Sequence, residues 1–160
     1  MTKRQLTVLC FAALAAVASR ASGQAVPWRI GRWNPDSFGN QRVVVRVAGP
    51  AGQGAVRALI AWRRRDTLPE TRRILVTDDR GDRIANVLPL RITRDSGDVA
   101  FEPVRGAGEY YLYYLPYAGT VRSNYPRITS ARPDTTATAD WAASARANAA
   151  TLPRATVAAF

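Results

Sequence analysis

Histidine is absent from the 160 residues, and the single cysteine, Cys10, stands inside the first apolar run. Without an imidazole, His-based acid–base work, Ser-His-Asp triads and the usual zinc sites are excluded. Neither common glycine-rich phosphate loop is present. Lysine is reduced to Lys3, so every other basic residue is arginine. No long amphipathic helical pattern interrupts the central part of the chain.

What is there begins with an export pattern. Lys3 and Arg4 precede an apolar run from Leu6 to Ala18, shorter than the roughly 20 residues a membrane-spanning helix needs. Ala21-Ser22-Gly23 then sets small residues for cleavage before Gln24, with cleavage after Ala25 the near alternative. A retained anchor is disfavoured because no stop-transfer pattern follows, and Cys10 is misplaced for acylation. The expectation is a secreted or periplasmic protein with residues 1–23 as a cleaved signal peptide, touching a membrane only during export. Removing 23 residues from 160 leaves 137, enough for one domain, and takes away the only cysteine. Lys3, Arg4 and Arg20 go too, so 20 of the 23 basic residues face 12 acids, a net charge of +8. The arginine excess accompanies abundant alanine and glycine and reads as an ordinary surface. Nucleic acid is not expected as a partner; anionic glycans or envelope surfaces suit the charge better.

The mature chain is punctuated for strands. Gln41–Ala48, Ala55–Trp62, Arg72–Thr77, Ile84–Leu88, Val99–Phe101 and Glu109–Leu115 are apolar or β-branched runs separated by turn residues about every 8 to 12 positions. They predict an all-β, antiparallel β-sandwich, immunoglobulin-like or jelly-roll-like, over residues 24–132. Val26–Phe38 reads as irregular chain or an edge strand. Residues 133–160 read as an alanine-rich helix or linker, with Asp140 as N-cap and the strand-like Ala155–Phe160 beyond it. A chain that stops in such a run predicts a longer protein cut short, with a further domain to follow.

Nine aspartates and three glutamates remain for chemistry. Glu102 and Glu109 lie beside strands and read as solvated charges. The loop Asp78–Asp82 falls short of a calcium-loop pattern and reads as a hairpin turn, with Gly81 free to take positive φ. No metal, cofactor or catalytic residue is expected. In Glu109–Leu115 a period of two puts Tyr111 and Tyr113 on one face and Tyr110 and Tyr114 on the other. One pair packs in the core; the other is further core or a platform for a sugar ring. Tyr111, Tyr113 and Trp62 are therefore the carbohydrate-binding candidates. Trp62 with the following arginines reads as a cation–π site or as an inward ring followed by solvated charge.

The blocks Gly39–Val47, Trp62–Asp66, Pro69-Glu70 with Ile74–Val76, Gly106–Tyr117 and Asn124–Pro126 occur in an order and spacing that resemble the N-terminal domain of glycoside hydrolase family 123-like proteins. The resemblance covers roughly residues 33 to 160. It implies a β-sandwich preceding a (β/α) barrel that cleaves N-acetylgalactosaminides by a substrate-assisted route with an adjacent Asp-Glu pair. This chain has no Asp-Glu or Glu-Asp dipeptide, so no catalytic residue carries over. What remains is a non-catalytic accessory domain that braces a barrel absent from the chain. Arg63, Arg64, Arg65 and Asp66 are the candidate contacts to that barrel. The alternatives are a free-standing carbohydrate-binding module and a structural interaction domain of the envelope.

Overall fold

The computed structural model describes residues 31–120, 127–134 and 136–160 together with Val26, Arg29 and Asn124. The export segment at 1–23 and the Tyr125-Pro126 block lie outside the described residues.

Among the described residues nine strands form two sheets. A seven-stranded sheet has the order β3-β6-β1-β9-β2-β5-β4, where β1 is Arg42–Val47, β2 Val56–Ala61, β3 Leu75–Thr77, β4 Val87–Ile92, β5 Ser96–Phe101, β6 Gly108–Tyr113 and β9 Arg154–Ala159. A separate two-stranded hairpin pairs β7 (Tyr117–Thr120) with β8 (Arg127–Ser130). The all-β expectation is met. The large sheet is mixed, because β9 runs antiparallel to β1 but parallel to β2. It curls until it is nearly a barrel, and its two halves share one core of Val43, Val45, Val56, Ile60, Val99, Phe101, Tyr110 and Leu112.

The placement of β9 corrects the expected boundary at residue 132. Arg154–Ala159 is no linker: it lies in the middle of the sheet and bonds both β1 and β2, so the C-terminal segment belongs to the same folded body. The helix before it, α2 (Ala139–Ala147), forms where alanine favours it. Its N-cap is Thr138, whose side chain makes no capping bond; Asp140 sits instead in the first turn, where its charge complements the helix dipole. Ala145 of α2 packs on Ala100 and Ala55, flanked by Leu88, Leu90 and Trp141, which covers the outer face of the β2-β5-β4 half.

The outer face of the other half is covered from the N-terminal side. Asn34 caps a four-residue helix α1 (Pro35–Phe38), its side chain accepting the Asp36 N–H at 3.0 Å, with Pro35 in the first turn. Of the stretch expected to be irregular chain or an edge strand, the described residues 31–38 therefore hold a short helix.

Candidate functional site

Pairing register decides the faces of β6. Tyr111 lies opposite Val44 of β1 and Thr77 of β3, while Tyr113 lies opposite Arg42 and Leu75. These six side chains share the outer face, whereas Tyr110, Leu112 and Tyr114 point into the core. Tyr110, 1% exposed, packs on Phe101 with ring centroids 5.2 Å apart. Its hydroxyl donates to Gly106 O at 3.1 Å and accepts the Arg105 N–H at 3.3 Å. Tyr114 stacks on Trp62 at 4.7 Å and donates to Gln41 Oε1 at 3.0 Å. Burial pushes both phenols above their ordinary pKa.

The outer pair is not an open platform. Phe38 stacks on Tyr113 at 4.6 Å and Trp33 meets its edge at 6.1 Å, leaving Tyr113 only 4% exposed. Tyr111 is half-buried, with the Arg42 guanidinium 4.6 Å from its ring centre; the same guanidinium lies 4.3 Å from the Trp33 ring. Trp33 is held by its own Nε1, which donates to Gly39 O at 2.7 Å. Arg32, Arg42, Arg80, Thr77 and Asp79 line a cleft of about 330 Å³ beside these rings.

Trp62 is elsewhere. It is 4% exposed, points inward and stands over Gly97, where a Cβ would collide with its ring. Its Nε1 donates to Thr93 O at 3.0 Å. The edge of Trp62 borders a second cavity of about 510 Å³, lined also by Gln41, Arg63, Asp95 and Tyr114. The three aromatic candidates therefore do not gather: Tyr111 and Tyr113 flank the outer cleft, and Trp62 borders a cavity reached from the core side of β6.

The arginine cluster is split as well. Arg63 and Arg65 are exposed. Arg64 is not solvated: its side chain is fully buried, Nε and Nη2 donate to Asp66 Oδ1 and Oδ2 at 2.9 and 2.8 Å, and its guanidinium lies 5.3 Å from the Trp62 ring. Burial by itself would raise the Asp66 carboxyl; hydrogen bonds and charge from Arg64, with help from Arg72, hold it below its ordinary value instead.

All five acids that are not exposed are committed to partners. Besides Asp66, Asp98 takes a two-pronged bond from Arg57 at 2.7 and 2.6 Å, and Glu102 accepts Asn86 Nδ2 at 2.6 Å. Glu109, unlike the solvated charge expected, is paired with Arg46 at 2.9 Å and Arg29 at 3.1 Å, and Arg46 first among them lowers its pKa. Asp78 is buried: Oδ1 accepts the N–H groups of Arg80 and Asp82, closing the turn in which Gly81 takes φ +89°, and Oδ2 pairs with Arg105. Against the upward pull of burial, those bonds hold Asp78 below its ordinary value. A general acid needs a raised pKa and a proton to give. Asp66, Asp78 and Glu109 are shifted the opposite way. Among the described residues no three Cys, Asp or Glu side chains gather as a metal site.

Sequence reasoning missed Trp33, Arg42, Thr77 and Arg80 as neighbours of Tyr111. The signal available was the alternation of β1, which puts Arg42 and Val44 on one face, but the partner strand is about 70 residues away and no local pattern names it.

Searches for matching curated proteins and for matching solved structures each returned none. The family model described as glycoside hydrolase 123, N-terminal domain, matches residues 31–160, the stretch that holds every strand described above. The chain therefore belongs to the glycoside hydrolase 123 N-terminal domain family, and is a domain of the glycoside-hydrolase-associated kind.

Proposed function

We propose that this chain is an exported, non-catalytic accessory domain that braces a family 123 catalytic barrel carried elsewhere. The observation behind this reading is the state of its carboxylates, since every buried or half-buried acid is neutralised by an arginine or bonded to an amide. A pair spaced for glycoside hydrolysis needs one acid kept protonated and one kept free. Exposed Arg63 and Arg65, on either side of the buried Arg64 that pairs with Asp66, are the bracing contacts we assign, Arg63 also lining the Trp62 cavity. The buried pair holds the backbone between them in place, so their charges are presented from a fixed loop.

Three measurements test this. Aryl N-acetylgalactosaminides should show no turnover above blank with the chain alone; hydrolysis lost on Glu102→Gln or Glu109→Gln would refute the non-catalytic reading. A family 123 barrel produced separately should gain thermal stability with the chain present, and Arg63→Glu with Arg65→Glu should remove that gain. Mass spectrometry of exported material should find an N-terminus within a few residues of Gln24; an intact Met1 would exclude a cleaved leader.

A further inference from the structure

The outer cleft beside β6 has features that a purely structural patch does not need. Arg42 lies between the faces of Trp33 and Tyr111 at 4.3 and 4.6 Å, and has no carboxylate partner among the described residues. A guanidinium with a ring on each face keeps its N–H groups at the edge, where a planar oxyanion binds through two parallel bonds. Arg32 and Arg80 add two exposed positive charges to the lining, against the single acid Asp79. Thr77 lines the same cleft. It is 1% exposed, and its Oγ1 has no hydrogen-bond partner among the described residues. A buried hydroxyl left unbonded is costly and uncommon, and a ligand oxygen in the cleft would satisfy it. The cavity, about 330 Å³, lies at the small end of the size range of small-molecule sites.

The rings argue against a neutral sugar. The Tyr111 face that a pyranose would stack on is taken by Arg42, and that of Tyr113 by Phe38. Charge and hydrogen bonding are what the cleft offers instead.

We infer that this cleft binds an acidic saccharide, with Arg42 and Arg80 pairing the carboxylate of a uronate and Thr77 bonding an adjacent ring oxygen. The anion follows from the geometry; the saccharide rests on the carbohydrate-active reading above.

Calorimetry on the whole chain at physiological salt tests it, with a glucuronate-containing disaccharide against the same disaccharide bearing neutral glucose. Saturable one-to-one binding of the acidic sugar alone is expected. Arg42→Gln should lower the affinity at least tenfold. Because Arg42 also packs, the rim variant Arg80→Gln should lower it severalfold with the melting temperature unchanged. Thr77→Val should weaken binding severalfold while raising the melting temperature, since it removes an unbonded hydroxyl at nearly constant volume, a pairing of effects that a structural role alone does not give. No binding by the folded wild-type chain, equal affinity for the neutral sugar, or wild-type affinity in both Arg80→Gln and Thr77→Val overturns the inference. Stabilisation of a barrel without any uronate binding would refute this site and leave the bracing role standing.

Discussion

The two faces of β6 carry the same residue type and are covered by different means. Tyr110 and Tyr114 meet the opposite half of the sheet, through Phe101 and Trp62, and give their hydroxyls to Gly106 O and Gln41 Oε1. Tyr113 meets a short local cover, Trp33 and Phe38, and Tyr111 meets Arg42, which is wedged between it and Trp33. On the inner face both tyrosine hydroxyls are bonded, whereas on the outer face the Thr77 hydroxyl has no hydrogen-bond partner and the Arg42 guanidinium no carboxylate partner among the described residues. A sheet whose inner face closes on itself supplies its own core. Its outer face is buried only where another segment happens to lie, and polar groups at the margin of that cover stay available to a ligand.

The largest effect expected is on the inner face. Tyr110→Ala should cost about 3–5 kcal/mol, the scale for a large buried aromatic, read by chemical denaturation. Tyr113→Ala should approach the lower end of that range, about 3 kcal/mol, because Phe38 and Trp33 lose their partner together. A cost near zero would mean that the outer cover is not packed. Gly97→Ala forces a methyl against the Trp62 ring and should cost about 1–3 kcal/mol; a neutral outcome would show that Trp62 can shift. Tyr111→Ala, half-buried and held by a cation–π contact, should cost only about 1 kcal/mol. The smallest effect near neutral pH is electrostatic. Asp66, Asp78 and Glu109 have folded pKa values below their unfolded ones, so the unfolded state binds more protons in acid. Their stabilisation is fully present above about pH 5 and is lost as pH falls through the lowered folded values. Melting temperature against pH should fall less steeply in acid for Asp78→Asn than for Glu109→Gln, whose arginine partners are largely exposed.

Much of this was legible in the residues. Glu109–Leu115 declares a strand through its aromatics, and its alternation separates the two tyrosine pairs correctly. Which pair faced inward was not legible, because tyrosine suits either environment. In β1, Val43, Val44 and Val45 are all buried, so the alternation that would mark the inner face is masked. Arg64 gave no sign of burial in a run of three arginines; Asp66, two residues on, is what makes burial tolerable.

From the sequence alone came the β character, the family and the exclusion of imidazole chemistry, because composition, strand propensity and period are local and survive without knowledge of neighbours. The tertiary structure decided that the last strand sits at the centre of the sheet, that Tyr113 is roofed by Trp33 and Phe38, and that Arg42 and Thr77 meet at one cleft. Each of these depends on pairing between segments far apart in the chain, and the hydrogen bonds and packing that select such pairs leave no mark on either segment by itself.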